Sequence, residues 1–267
     1  MKDKVVVITG GSSGIGKALA EEFGKKGSKI FITGRNAADL QQAVVDLKNK
    51  NIDAHGFQAD VSVEEDNRRM AEEAIKKFGR IDVLINNAGI TMRASFQEVE
   101  LSVIKKVMDI NFFGVIYATH ACLAAIIKSK GSIIGISSIA GYRGLPGRTG
   151  YSASKFALVG FLETLRTELL YKGVHVLTAC PGFTASNTRK RALNSKGNEQ
   201  GESPRDESSM MSAEECAARI YKATVTRRKI LVMTRQGKLT VLLNKLAPGW
   251  MDKIVYKTMA KEPDAPF

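Results

Sequence analysis

Short β-rich runs that alternate with helical patterns are what most constrain this chain. The runs lie at 5–9 (VVVIT), 29–33 (KIFIT), 53–59 (DAHGFQA), 81–86 (IDVLIN), 132–137 (SIIGIS) and 174–180 (VHVLTAC). Helical periodicity fills 15–26, 37–49, 64–77, 99–127 and 151–171 between them. Strands that alternate with helices build βαβ units, which need a parallel sheet covered on both faces. The expected class is therefore α/β. A helix at 213–226 and a run at 229–234 (KILVMT) add a seventh strand. Ser62 with Glu65, and Ser212 with Glu215, have the S-x-x-E spacing of helix capping boxes. No repeat or linker divides residues 1–267, which read as one domain.

Two segments differ in kind. Residues 183–211 are polar and poor in apolar side chains, as a substrate loop or lid would be. Residues 216–261 carry eleven Lys and Arg against one acid, Asp252, which accounts for most of the formal net charge of +13. Within them, 237–261 mix Leu239, Leu242, Leu243, Leu246, Trp250, Ile254 and Val255 with five lysines, and Pro248-Gly249 should split this tail into two short helices. Two readings of the tail stand: a helix pair packed on its own domain or on a neighbouring subunit, or a surface resting on an anionic membrane. Nucleic acid is not an expected partner, because no recognition module or interleaved aromatic platform accompanies the charge. His55, His120 and His175 are isolated, and Cys122, Cys180 and Cys216 have no ligand spacing, so no metal site is expected. The opening MKDK runs straight into a strand, and the most apolar stretch, 121–127, is too short to span a bilayer. The expected location is cytoplasmic, or peripheral at a membrane surface on the second reading of the tail.

Directly after the first strand stands TGGSSGIG, with Gly10, Gly14 and Gly16 opening a helix. Glycine permits positive φ and close approach of backbone N–H groups to a pyrophosphate, whose charge the helix N-terminus receives. The strand–turn–helix setting makes this a dinucleotide-binding turn. At the end of the second strand, where an acid would bind the ribose 2′-OH of NAD, the chain reads Gly34-Arg35-Asn36. A guanidinium there suits a 2′-phosphate and favours NADP(H) over NAD(H). In the competing reading Arg35 is a solvated turn residue and Asn36 caps the next helix.

Ser138 lies thirteen residues before Tyr151, and Tyr151 four before Lys155. Four residues is about one helical turn, so tyrosine and lysine share a face. A cation there stabilises the phenolate and lowers the phenol pKa toward the range of proton transfer.

TGGSSGIG, the NNAG of 86–89, Asn111, Ser138, the YSASK of 151–155 and Pro181-Gly182 together resemble the short-chain dehydrogenase/reductase family, over residues 4 to about 235. The resemblance implies a Rossmann-type, doubly wound sheet in the order 3-2-1-4-5-6-7. It also implies reversible hydride transfer between NADP(H) and a carbonyl/alcohol pair. On it, Tyr151 exchanges the proton, Lys155 lowers the tyrosine pKa and binds the nicotinamide ribose, Ser138 holds the carbonyl, and Asn111 holds a water that relays protons to Lys155. Gly10, Ser12, Ser13, Gly14, Ile15 and Gly16 surround the pyrophosphate and adenosine ribose. Asp60 and Val61 meet the adenine, and Asn87, Ala88 and Gly89 the cofactor ribose. Pro181, Gly182 and Thr184 face the nicotinamide amide. NNAGITMRASFQ, VMDINFFG and LAPGWMDKIVYKTMAKE further resemble the branch of dehydrogenase/reductase member 7 and 11β-hydroxysteroid dehydrogenase. That likeness implies an apolar, lipid- or steroid-like ketone, and the family implies pairing into a homodimer or homotetramer through the helices near 111–127 and 151–171. The alternative is a catalytically silent NADP(H)-sensing regulatory or scaffold protein with the same fold; its expected mark, a broken Asn-Ser-Tyr-Lys set, is absent.

Overall fold

The computed structural model describes residues 1–185, 188–206 and 210–267, so 186–187 and 207–209 of the expected substrate loop lie outside the described residues. Seven strands form one sheet: β1 (Val5–Ile8), β2 (Lys29–Gly34), β3 (Ala54–Gln58), β4 (Val83–Asn86), β5 (Ser132–Ile136), β6 (His175–Cys180) and β7 (Ile230–Val232). Their order is β3-β2-β1-β4-β5-β6-β7 and every pairing is parallel, as the family resemblance implies.

Side chains of a strand alternate between faces, and both faces here are apolar. Val6, Ile8, Ile30, Ile32, Ile85 and Leu177 pack on one side with helices α1 (Gly14–Lys25), α2 (Ala37–Asn49) and α7 (Ala213–Val225). Val7, Phe31, Leu84, Ile133 and Val176 pack on the other with α3 (Glu64–Phe78), α5 (Gly114–Ser129) and α6 (Thr149–Glu168). The chain reverses its direction of winding between β1 and β4. At such a switch the loops after the two strands diverge and leave a crevice beyond their carboxyl ends.

Two local expectations are corrected. Ser62 does not cap α3; its hydroxyl donates to Asp60 Oδ1 at 2.6 Å, and Val63 takes the N-cap position without a side-chain hydrogen bond. Glu64, Glu65 and Asp66 in the first turn offset the positive helix end instead. Ser212, in contrast, accepts from Glu215 N at 3.0 Å and does cap α7. The long helix expected at 99–127 is interrupted: α4 (Leu101–Met108) passes through a π-helical turn, Asp109–Phe113, into α5. The combined run Leu101–Ser129 has the length and hydropathy of a membrane span, which the apolar stretch 121–127 alone lacks. Val115, Ala118, Cys122 and Ile126 of this run are nevertheless spent in the core.

The C-terminal tail forms α8 (Arg235–Leu246) and α9 (Pro248–Met259), divided at Pro248 as expected. Met251, Val255 and Met259 are buried against Leu145 and Leu243, and Asn244 Nδ2 donates to Tyr142 O at 2.9 Å. The packed reading of the tail is thus met on one face. Leu239, Leu242, Leu246 and Trp250 stay exposed on the rest of it.

Helix α6, which carries Tyr151 and Lys155, is seated on β5 where Gly135 faces Leu162. A Cβ on Gly135 would lie 2.3 Å from Leu162 Cδ1. Gly135→Ala should therefore cost roughly 1–3 kcal/mol by overpacking, and Leu162→Ala roughly 2–5 kcal/mol by leaving a cavity. The double variant should be clearly less destabilised than the sum of the two, as read by denaturant unfolding. Strict additivity would show that this contact does not set the helix position.

Candidate active site

A cleft of about 1030 Å³ opens over the carboxyl ends of the strands. Gly10, Ser12, Ser13, Gly14, Ile15, Arg35, Asn36, Asp60 and Val61 line it, with Asn87, Ala88, Gly89, Ser138, Tyr151, Lys155, Pro181, Gly182 and Thr184. The chain thus brings together nearly every residue singled out from sequence. Gly16 and Asn111 are the two that do not line the cleft, and both support it from behind.

At the switch point Gly10 has φ +64° and a Cβ there would lie 2.9 Å from Ala88 Cα. Gly16 would place a Cβ 2.1 Å from Gly10 O, so α1 can pass this close only with glycine at that position. Asn87 Nδ2 donates to the Thr9 and Gly10 carbonyls, both at 3.0 Å. Thr9 Oγ1 in turn accepts from Asn87 N and Ala88 N, both at 3.1 Å. Thr9, beside the glycine turn, was not legible as a site residue; its role is to tie the β1 and β4 loops. Ser13 at the N-cap of α1 makes no side-chain capping hydrogen bond, so the positive end of the helix is not closed by its own serine. A glycine-lined cradle ending in an uncapped helix N-terminus fits a dinucleotide pyrophosphate.

Arg35 is exposed and has no acidic partner among the described ion pairs, while Gln58 Nε2 donates to its carbonyl at 2.9 Å. Asn36 does cap α2, accepting from Asp39 N at 3.1 Å. Asp60 Oδ1 accepts from Ser62 N at 2.9 Å, which orders the turn carrying Asp60 and Val61.

The cleft floor holds the Ser138, Tyr151 and Lys155 cluster. Ser138 ends the loop after β5 and its Oγ accepts from Ala140 N at 3.2 Å. Lys155 is 5% exposed; its ammonium donates to Ile136 O at 2.9 Å and lies 5.7 Å from the Tyr151 ring centre. Burial, which disfavours the charged form, lowers the lysine pKa to about 8. The expected fall of the tyrosine pKa is not met. Burial holds the Tyr151 phenol above its ordinary value, against the opposing pull of a Ser138 hydrogen bond and the Arg148 charge. Cys180 is buried and its thiol is pushed up to about 12, as suits a packed residue and not a nucleophile.

Asn111 sits in the π-helical turn. Its Oδ1 accepts from Ile90 N at 2.8 Å, and its Nδ2 donates to Ile90 O at 2.9 Å and Ser154 Oγ at 3.0 Å. Gly89 separates it from the lysine: a Cβ there would lie 3.1 Å from Asn111 Oδ1 and 3.6 Å from Lys155 Nζ. With both its amide protons committed, Asn111 fixes the β4 loop against α6. Ser154, between Tyr151 and Lys155, is a second member of this brace, donating to Tyr151 O at 2.7 Å. The far end of the cleft is walled by Leu193 and by Met251, Val255 and Met259 of α9.

The lysine shift has a thermodynamic consequence. Between pH about 8 and the ordinary lysine value near 10.5, the unfolded chain holds a proton that folded Lys155 has lost. Stability relative to Lys155→Met should therefore rise with pH across that window, by up to about 3 kcal/mol. Urea unfolding of the two cofactor-free proteins at several pH values measures this, and a constant difference would mean that the ammonium is not desolvated.

A family model described as short chain dehydrogenase matches residues 4–197. Dehydrogenase/reductase SDR family member 7B of Danio rerio is 32% identical over 270 residues, which cover 98% of this chain and 87% of the relative. 11-beta-hydroxysteroid dehydrogenase-like 4A of Arabidopsis thaliana is 42% identical over 183 residues, 67% of this chain and 60% of the relative. A short-chain dehydrogenase/reductase from Burkholderia phymatum, solved in complex with NAD, matches with a TM-score of 0.84 at 24% identity, over 93% of this chain and 95% of that one. At that identity the structural likeness speaks for the fold alone. With the family match and the site agreeing, the chain belongs to the short-chain dehydrogenase family and is an oxidoreductase acting on CH–OH groups.

Proposed function

We propose that the protein interconverts an apolar, lipid- or steroid-like ketone and its alcohol with NADP(H). The observation that carries this reading is the desolvated Lys155 ammonium beside Tyr151, on a cleft floor that Ser138 also lines. When bound, the nicotinamide supplies the hydride for reduction and accepts it for oxidation. Ser138 and Tyr151 hold the carbonyl oxygen between their hydroxyls and stabilise its developing negative charge. Tyr151 then gives its proton to that oxygen, and in oxidation takes it back. A phenol raised by burial keeps its proton until alkoxide charge develops. The nearby Lys155 ammonium then favours the phenolate that remains. Pro181, Gly182 and Thr184 border the same floor, with Thr184 Oγ1 donating to Gly182 O at 3.3 Å, and would orient the nicotinamide amide.

The apolar wall of Leu193, Met251, Val255 and Met259 supports a substrate with a hydrophobic body. Arg35, exposed at the cleft edge beside Gly34, supports NADP(H): its guanidinium can pair with a 2′-phosphate, and Gly34 offers no carboxylate to a 2′-OH.

The test is a carbonyl panel of steroids, 3-keto lipids and small aldehydes, run with NADPH and NADH. A steroid or keto lipid should turn over, NADPH should bind more than tenfold tighter than NADH, a gap above ~1.4 kcal/mol, and Gly34→Asp with Arg35→Ala should invert the preference. Tyr151→Phe should lower kcat by orders of magnitude with NADPH affinity nearly unchanged. Equal affinity for the two nucleotides would overturn the cofactor reading, and an active Tyr151→Phe variant would overturn the proton donor.

A further inference from the structure

The substrate end of the cleft holds more positive charge than its own packing needs. Glu262, beyond α9, is nearly buried and accepts from Arg148 Nη2 at 2.7 Å and from Arg205 Nε at 2.6 Å. Arg93 Nε lies 3.6 Å from the same carboxylate. Three guanidinium groups thus converge on one acid, and they come from separate segments: the loop after β4, the N-cap of α6 and the loop after β6. All three line the cleft, with side chains only 12%, 11% and 22% exposed.

One arginine would suffice to fasten Glu262. Partly burying two more, with no second acid among the described ion pairs, is unfavourable unless something else supplies the negative charge. Among the described residues, Arg93 Nε is buried without a hydrogen-bond partner, and Arg93 Nη2 donates to the neutral carbonyls of Pro263 and Asp264. Arg148 Nη1 meets Pro146 O at 3.5 Å, a long hydrogen bond to a neutral acceptor. Arg148 also stands about one turn before Tyr151 on α6, and its charge is felt by the Tyr151 phenol. A ketone oxygen at Ser138 and Tyr151 would therefore leave an anion a few bonds away within reach of Arg148, and an apolar chain free to lie along Leu193, Met251 and Val255.

We infer that Arg93, Arg148 and Arg205 form an anion subsite, so that the substrate is a ketone or alcohol bearing a carboxylate or phosphate monoester on an apolar chain. The inference rests on the carbonyl-reductase reading above and names the substrate class for it. Paired charge-assisted hydrogen bonds from guanidinium suit both anions, and the acid's position next to the reaction centre would orient the carbonyl.

The test is calorimetric binding of decanoate, decyl phosphate and 1-decanol to the full chain saturated with oxidised nicotinamide nucleotide. At least one of the two anions should bind at least tenfold tighter than the alcohol at low salt, and the anion that binds better identifies the group. The advantage should shrink severalfold at high salt while decanol binding stays level. Arg93→Gln should weaken the anion at least fivefold and leave decanol unchanged. Equal affinity for all three ligands, or an equal loss for all three in Arg93→Gln, would mean that the arginines only fasten the C-terminus. If Arg93→Gln does not fold, the salt series on the unaltered protein still decides. Turnover of neutral ketones with no anion preference would sink the subsite and leave the reductase reading standing. Anion-selective binding with no ketone turned over would uphold the subsite and sink that reading.

Discussion

The structure is organised around one buried cation. Lys155 Nζ has left water for a site where it donates to the Ile136 carbonyl at the end of β5 and faces the Tyr151 ring. An ammonium in such a place is held only if the surrounding backbone is rigid, since a buried charge that loses its partner is costly. The rigidity has identifiable sources. Ser137 Oγ donates to Lys155 O at 3.3 Å, Ser154 is shared between Tyr151 O and Asn111, and Asn111 grips both backbone groups of Ile90. β4, β5, the π-helical turn and α6 therefore meet within a few ångströms of the reacting atoms.

That arrangement divides the cleft into two ends with different physics. The nucleotide end is made of backbone: close approach at Gly10 and Gly16, loops tied through Thr9 and Asn87, and an uncapped helix terminus. The substrate end is made of side chains from parts of the chain far apart in sequence, Arg93, Arg148, Arg205 and the inner face of α9, drawn together by Glu262 and by packing on Leu145. A site that reads a common cofactor with backbone and a particular substrate with side chains can change specificity without disturbing hydride transfer.

The same division explains what the sequence made legible. Strand–helix alternation and apolar strands are local patterns, and they foretold the sheet and the glycine turn. Tyr151 and Lys155 were legible as a pair because their spacing is carried on one helix, whereas Asn111 entered only through the family resemblance. The interruption at Asp109–Phe113 was not, because a π turn leaves no mark on hydrophobic periodicity. Nor was Ser62's loss to Asp60, since a capping box and an Asp-turn compete for the same hydroxyl and only tertiary placement decides. The Glu262 cluster was hidden for a simpler reason. Its members are scattered between residues 93 and 262, and the one available hint was an acid just after a basic tail. The assumed electrostatics of the Tyr151–Lys155 pair also needed the structure: spacing shows that the two are neighbours, whereas burial decides which way each titrates.

The central claim, that Lys155 is a desolvated cation poised at the reaction centre, can be measured directly. In protein carrying lysine labelled with ¹³C at the ε-carbon, one resonance should titrate near pH 8. That resonance should be missing from the Lys155→Met spectrum. If every lysine titrates in the ordinary range, the ammonium is solvated and the account of proton transfer built on it is wrong.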